Sequence, residues 1–320
     1  MAGQKFRRAD GGAVDRGQSI RFTFDGRSYE GYAGDTLASA LMANGVRLLA
    51  RSFKYHRPRG LFTMGPEEPN ALVTVRQGAR REPNVPATMV EIYDGLVAES
   101  QNCWPSLDLD VMSINDLLSS ILVAGFYYKT FMWPASFWEP VYERIIRRSA
   151  GMGIAPDQPD PDRYERAHAF CDVLVVGSGP AGLAAARAAG EKGERVLLVE
   201  QMAWLGGSAA NTGQATPDVD ALAAMDNVTV MTRTTAFGQY DGNSFALVER
   251  VADHLPVPPE GQPRQRSWVV RAKRVVFATG ALERPLVFRN NDLPGIMLAS
   301  AAQGYAKRFG VLPGRNAVVF

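Results

Sequence analysis

Residues 172–200 read DVLVVGSGPAGLAAARAAGEKGERVLLVE, a pattern that predicts a strand, a tight turn, a helix and a second strand. The apolar run Asp172–Val176 is typical of a parallel strand that is buried on both faces. The helix is predicted near Ala181–Lys192, and the second strand, Arg195–Val199, ends at Glu200. This order predicts an α/β architecture around a parallel sheet.

The turn between the first strand and the helix is GSGPAG, residues 177–182, which matches G-x-G-x-x-G. Gly177 permits the sharp turn, Gly179 lets a pyrophosphate approach the backbone, and Gly182 lets helix and strand pack closely. Pro180 and Ala181 open the helix, whose first N–H groups then face the phosphate. The turn therefore predicts a Rossmann-type adenine dinucleotide site, and the motif alone leaves FAD and NAD open.

Later segments extend this predicted site. Glu200 is placed to accept hydrogen bonds from ribose hydroxyls and to repel a 2′-phosphate. The glycine pair in WLGGS, residues 204–208, brings backbone close to the pyrophosphate, and the strand at 275–277 runs into the turn ATG. The alternative is a degenerate unit that keeps its glycines for packing alone. The predicted cofactor-binding residues are Gly177, Gly179, Pro180, Ala181, Gly182, Glu200, Gln201, Gly207, Ser208, Ala236, Thr279 and Gly280.

Composition excludes several classes of function. The 320 residues allow about two domains, and 46% hydrophobic with 21% charged residues is an ordinary globular balance. The net charge of +2 argues against nucleic acid binding, although the first sixty residues are basic. Since no long apolar run or secretory signal is evident and only two cysteines occur, we expect a cytoplasmic protein that makes no membrane contact.

The first part of the chain predicts a second fold. Strands at Ser19–Phe24 and Arg27–Gly31, joined by an Asp-Gly turn, precede a short helix at Leu37–Ala43, which is how a β-grasp, ferredoxin-like domain begins. A plant-type ferredoxin would next supply C-x4-C-x2-C to bind a [2Fe–2S] cluster. Because no cysteine precedes Cys103, we predict a domain without an iron–sulfur cluster, and no metal ligands.

Four ranges follow from these patterns: a flexible arm at 1–18, a ferredoxin-like domain at 19–100, a helical and aromatic connecting segment with a linker at 101–163, and a dinucleotide-binding domain at 164–320. Further strands are predicted at Ala71–Arg76 and Thr88–Tyr93, and a helix at Ile114–Tyr128. Eight aromatic residues between Phe126 and Tyr142 predict either a core that joins the domains or a subunit interface. The basic loop at 51–60 is interpreted as a grip for an anionic group, a partner contact or a solvated loop.

The order GSGPAG, Glu200, GG and ATG resembles the pyridine nucleotide–disulfide oxidoreductase superfamily. Members that reduce disulfides need a pair of neighbouring redox cysteines. No cysteine follows Cys171, so disulfide exchange is excluded within this sequence.

Together, FDGRSYEGYAGDTLASAL, RSFKYHRPRG, GSGPAG and ATGALERPLVFRNNDLPG resemble the α subunits of heterotetrameric sarcosine oxidases. The resemblance implies NAD in a flavin-like site, with FAD and FMN elsewhere in a complex with β, γ and δ subunits. It also implies oxidation of sarcosine to glycine with formation of hydrogen peroxide and 5,10-methylenetetrahydrofolate. Because α subunits of that family continue into an aminomethyltransferase-like folate domain, we expect this chain to be an N-terminal portion.

Two other functions stay open: a subunit of an FAD-dependent amine, opine or amino-acid dehydrogenase, and a non-catalytic assembly scaffold. The chain is interpreted as part of an oxidoreductase that acts on CH–NH donors. We identify no catalytic residue, because none of His56, His168 and His254 lies in a predicted substrate site. The isolated chain is therefore predicted to be inactive on sarcosine.

Overall fold

The computed structural model describes residues 4–120, 122, 125, 133–149 and 151–319. A five-stranded mixed sheet in the order β2-β1-β7-β5-β6 forms the first unit. Its β1–β2 hairpin turns at Asp25 and Gly26, which both have positive φ, as the Asp-Gly signal predicts. The first seven strands are β1 (Asp15–Phe24), β2 (Arg27–Ala33), β3 (Ala50–Arg51), β4 (Pro58–Arg59), β5 (Leu72–Val75), β6 (Glu82–Pro86) and β7 (Val97–Ser100); β3 and β4 pair separately.

Helix α1, Leu37–Ala43, packs on this sheet and has the predicted bounds. Thr36 and Ser39 form a reciprocal capping box that satisfies the first backbone N–H groups. All seven residues of α1 are buried, so the helix lies within the core of the first unit.

The strand predicted at Thr88–Tyr93 is wrong. The backbone there bonds to the start of α1: Leu37 N–H donates to the Val90 carbonyl, and Ile92 N–H donates to the Asp35 carbonyl. Because these backbone groups bond to the residues around the N-terminus of α1, they are not available for pairing with a strand. The sheet contains β6 and β7 instead.

The second unit is built on a six-stranded sheet in the order β10-β9-β8-β13-β12-β11. The first four of these strands are parallel, and β12 and β11 continue the same sheet in antiparallel fashion. The antiparallel strands β11 and β12 thus extend the main sheet and form no separate sheet. The strands are β8 (Tyr164–Val176), β9 (Val196–Val199), β10 (Val228–Met231), β11 (Thr234–Tyr240), β12 (Ser244–Glu249) and β13 (Gln265–Phe277).

The remaining helices are α2 (Ile114–Leu117), α3 (Arg144–Ser149), α4 (Pro180–Gly190), α5 (Gly207–Thr212), α6 (Pro217–Ala223) and α7 (Ala299–Arg308). Of the helix predicted at Ile114–Tyr128, only the single turn α2 is described as helical, and much of the remainder lies outside the described residues. Within the described ranges, no helix combines the length and the apolar character needed to span a bilayer.

The predicted aromatic cluster is only partly described. Phe126, Tyr127, Tyr128 and Phe131 lie outside the described residues. Trp133 is 84% exposed, and Phe137 and Trp138 are also exposed. These three side chains therefore do not form a core between the two units.

Helix α7 belongs by packing to the first unit, although it follows the second sheet in sequence. Tyr305 and Phe309 are buried in the same apolar cluster as Leu37 and Met64, and the Tyr305 hydroxyl donates to the Thr63 carbonyl at 3.0 Å. Arg7 lies in the range that was predicted as a flexible arm, and its guanidinium donates to the buried Asp35 carboxylate.

The division of the chain into four ranges, including a flexible arm, stays a prediction.

Candidate dinucleotide-binding site

A cleft of about 710 Å³ lies at the carboxyl ends of β8, β9 and β13. Strand β8 pairs with β9 on one side and with β13 on the other, so the cleft opens where the order of strands reverses. Ligands of open α/β sheets bind at this kind of crevice. Of the twelve predicted cofactor-binding residues, all except Gly182 line the cleft: Gly177, Gly179, Pro180, Ala181, Glu200, Gln201, Gly207, Ser208, Ala236, Thr279 and Gly280.

Two glycines of the first turn are required by the protein itself. Gly177 has φ +97°, and a Cβ there would lie 2.5 Å from the Ala278 carbonyl oxygen. A Cβ at Gly182 would lie 1.9 Å from the Gly177 carbonyl oxygen. Gly182 therefore serves the packing of α4 against the turn and does not line the cleft.

Gly179 differs from both. Its φ of −63° is open to any residue, and a Cβ there would meet no atom within 4 Å. Neither backbone strain nor protein packing requires glycine at this position, which lines the cleft at the start of α4. The open face of Gly179 leaves room for a group that approaches the backbone closely, so the turn fits a dinucleotide pyrophosphate.

Ser178 was missed by the sequence analysis because G-x-G leaves its middle position free. Its buried N–H and hydroxyl both donate to Glu200 Oε2, at 3.0 and 2.6 Å, and its Oγ accepts from the Gly206 N–H at 3.2 Å. Met202 N–H donates to Glu200 Oε1 at 2.9 Å. One serine thus joins the two glycine turns and fixes the Glu200 carboxylate at the rim of the cleft.

The cleft is acidic. Its described lining includes the carboxylates of Glu67, Glu200 and Glu283 and no lysine, arginine or histidine side chain. Hydrogen bonds from the side chain and N–H of Ser300 lower the pKa of Glu283, so this carboxylate is charged at neutral pH. A pyrophosphate here would be held by backbone N–H groups and by the N-terminus of α4.

The first unit supplies one wall of the cleft, which no local motif indicates. Met64, Gly65, Pro66 and Glu67 line it together with residues at the start of α7. The dinucleotide-binding domain predicted at 164–320 therefore does not include all the residues that line the cleft.

The basic loop is largely engaged within the chain. Arg57 donates to both carboxylate oxygens of Asp292, at 2.7 and 3.0 Å, and Arg59 donates to the Asp292 carbonyl. Hydrogen bonding from Arg57 lowers the pKa of Asp292. These two arginines link the first unit to the segment before α7, and their charges are not free to grip another anion.

The same loop does not fit an iron–sulfur cluster. A [2Fe–2S] cluster of the plant type takes four thiolates, and the chain has two cysteines, of which Cys103 is the first. In the segment after α1, His56 Nδ1 lies 2.6 Å from the buried Asp110 carboxylate, and Arg51 donates to the Leu107 carbonyl.

Cys171 is a core residue, as its position before β8's apolar segment indicates. It is buried among apolar side chains, and burial raises the pKa of its thiol to about 11. A thiol of this kind is a poor nucleophile at neutral pH. None of His56, His168 and His254 is among the residues that line the cleft.

Comparison with known proteins agrees with the two units. Residues 17–103 match the model of a 2Fe-2S iron-sulfur cluster binding domain, and residues 172–274 match that of FAD dependent oxidoreductases. The sarcosine oxidase α subunit of Rhizobium meliloti (strain 1021) is 55% identical over 97% of this chain and 32% of the relative. The chain is a homologue of sarcosine oxidase α subunits.

Further relatives support this assignment. The sarcosine oxidase α subunit of Corynebacterium sp. (strain U-96) is 38% identical over 97% of this chain and 29% of its own length. The chain spans about a third of the length of the curated sarcosine oxidase α subunits it matches. An opine oxidase subunit of Agrobacterium tumefaciens (strain Ach5) is 32% identical over 47% of this chain and 32% of the relative.

A solved structure has the same fold. L-proline dehydrogenase from P. horikoshii superposes with a TM-score of 0.60 over 96% of this chain and 50% of that chain, at 24% identity. The fold of this chain, with its five-stranded and six-stranded sheets, therefore also occurs in that enzyme.

Proposed function

We propose that the chain is the dinucleotide-binding, N-terminal portion of the α subunit of a heterotetrameric sarcosine oxidase, and that its dinucleotide is NAD. The 55% identity over 97% of the chain carries the assignment to the family. The open side of Gly179 and the pre-oriented Glu200 carboxylate support a bound adenine dinucleotide. An acidic group at the ribose favours NAD over NADP.

The proposed complex oxidises sarcosine to glycine in the cytoplasm, with formation of hydrogen peroxide and 5,10-methylenetetrahydrofolate. In this proposal FAD and FMN lie elsewhere in an assembly with β, γ and δ subunits. Flavins, when bound, supply the two-electron oxidation of the amine. This chain's own residues bind and orient a dinucleotide through the two glycine turns and Glu200.

A subunit of an FAD-dependent amine, opine or amino-acid dehydrogenase is the second candidate. The match of residues 172–274 to FAD dependent oxidoreductases and the likeness to the opine oxidase subunit favour it. The glycine turns bind the ADP moiety that FAD and NAD share, so they suit both ligands.

The ligand carried by the purified chain separates these candidates. We expect mass spectrometry of the supernatant after acid precipitation to show NAD in stoichiometric amount and little FAD. Stoichiometric FAD with a yellow chromophore would establish the second candidate instead. Absence of any dinucleotide, also after incubation with both, would contradict a working site.

The isolated 320-residue chain is expected to produce no peroxide from sarcosine, because amine oxidation needs a flavin ring held against the substrate in a closed site. The assay compares the chain alone, the chain with FAD, and the chain with a candidate β subunit. Activity is expected only in the third sample. Turnover by the chain with FAD alone would contradict the proposal.

We also propose that the ferredoxin-like unit carries no cluster, since two cysteines cannot supply the four thiolates of a [2Fe–2S] centre. Chain purified under anaerobic conditions is expected to contain far less than one iron and one acid-labile sulfide per molecule. As a control, Cys103→Ser should leave the iron content unchanged. Two irons and two sulfides per chain, lost in that variant, would refute the proposal.

A further inference from the structure

The ferredoxin-like unit faces the dinucleotide cleft with one short loop, Met64–Glu67, which is defined here as the wall loop. It lies beyond the glycine turns. Helix α5 starts at Gly207, where a Cβ would lie 2.8 Å from the Gly179 Cα, and one turn later reaches Asn211. At Gly304 of α7, a Cβ would meet both the Met64 sulfur and the Asn211 Cβ. The wall loop therefore borders the part of the cleft next to α5 and α7.

The wall loop is held in place from several sides. Glu68 is buried, and its carboxylate accepts from the N–H groups of Phe62 and Thr63 at 2.9 and 2.7 Å and from that of Asn70 at 2.9 Å. The Thr88 hydroxyl donates to the Gly65 carbonyl at 2.6 Å. A carboxylate with this many donors fixes the backbone around it, so the loop presents a formed surface to the cleft.

Glu67 is the one charged side chain that this loop adds to the cleft. It is exposed, and no hydrogen bond or ion pair engages its carboxylate among the described residues. Its carboxylate folds back over Gly65, where a Cβ would lie 2.4 Å from Glu67 Oε2. The described lining holds no cationic side chain to neutralise it, so the negative charge acts on whatever group a ligand places there.

Glu200 and Ala236 mark the adenosine end, and the glycine turns mark the pyrophosphate. The remaining part of the cleft, which is bordered by α5, α7, the wall loop and the segment 278–283, is then left for the second half of the dinucleotide. Glu283 of that segment already accepts hydrogen bonds from the N–H groups of Ala299 and Ser300 at the start of α7, whereas the Glu67 carboxylate has no such partner among the described residues. In NAD⁺ this half carries a positive nicotinamide ring, and in NADH the ring is neutral.

We infer that the wall loop is part of the dinucleotide site and that Glu67 is a specificity-determining residue, which favours a cationic ring in the second half of the ligand. This inference rests on the proposed NAD site. It gives the ferredoxin-like unit a role that needs no iron–sulfur cluster, because this unit completes the dinucleotide site of the second unit of the chain.

The test measures dissociation constants of NAD⁺, NADH and ADP-ribose for the chain freed of ligand, by calorimetry at low and high salt. We expect Glu67→Gln to reduce the preference for NAD⁺ over NADH by about two- to fivefold, the range of one exposed charge interaction. The change should shrink at high salt, because exposed charges are screened. ADP-ribose lacks the nicotinamide ring, so it should bind the wild-type chain and the Glu67→Gln variant with equal affinity.

Glu260→Gln is the matched control, since Glu260 is exposed and does not line the cleft. An unchanged NAD⁺ to NADH ratio in Glu67→Gln, or an equal change for ADP-ribose, would overturn the inference while leaving the proposed function in place. Failure of the wild-type chain to bind ADP-ribose and NAD⁺ would instead refute the proposed function, and the inference with it.

Discussion

Replacing Gly179 with valine is expected to abolish dinucleotide binding and to leave the fold intact. The backbone of Gly179 has φ −63° and ψ 176°, an extended conformation that valine adopts without strain. A Cβ at this position would point into open space and would contact no protein atom within 4 Å. The valine methyl groups would instead occupy the place of the pyrophosphate, so we expect affinity for ADP-ribose to fall by about 100-fold or more, roughly 3 kcal/mol of binding free energy.

Two further variants separate this effect from a loss of folding. Ala188→Val adds the same methyl groups to the exposed side of α4, away from the cleft, and should leave both ligand affinity and melting temperature nearly unchanged. Gly182→Ala puts a Cβ 1.9 Å from the Gly177 carbonyl oxygen and should lower the melting temperature. Undiminished ADP-ribose binding by a folded Gly179→Val chain would sink the assignment of the site.

The sequence predicted the glycine turn well because its determinants are local. A buried strand, a turn that tolerates positive φ at Gly177, and a helix that starts at Pro180 all lie within a few residues. Eleven of the twelve predicted cofactor residues meet in one cleft because most of them follow the carboxyl ends of the parallel strands β8, β9 and β13, or start the helices α4 and α5 beside them, and such ends share one edge of the sheet. Whether they hold a cofactor stays a prediction.

The parts that sequence could not predict depend on contacts between distant segments. Nothing around Met64 or Glu67 indicates that this loop faces a cleft formed more than a hundred residues later. Helix α7 follows the second sheet, yet Tyr305 is buried in the core of the first unit. The prediction of a strand at Thr88–Tyr93 was wrong because the backbone there forms hydrogen bonds with residues at the N-terminus of α1. A residue pattern cannot show such contacts.

The second large effect is expected at Asp162, in the segment between the two units. Its buried carboxylate accepts from Arg80 Nε of the first unit at 2.9 Å and from Arg264 Nε of the second at 2.8 Å. Burial by itself raises the pKa of Asp162, but the hydrogen bonds and charges of the two arginines outweigh it, so this pKa lies below its ordinary value. Asp162→Asn would leave the Arg264 guanidinium, which is almost fully buried, without its counter-charge.

We therefore expect Asp162→Asn to lower the free energy of unfolding by about 3 to 5 kcal/mol in urea titrations, the cost of breaking a buried ion pair. Asp157→Asn, an exposed carboxylate in the same segment, should change it by about 0.5 kcal/mol or less. Because the pKa of Asp162 is lowered by folding, its contribution is complete above its unfolded pKa of about 3.9 and is lost as the pH falls through the lower folded pKa. The difference between wild type and Asp162→Asn should accordingly stay constant from neutral pH to about pH 5 and shrink below about pH 4. A difference that is already small at neutral pH would show that Arg80 and Arg264 do not depend on this carboxylate.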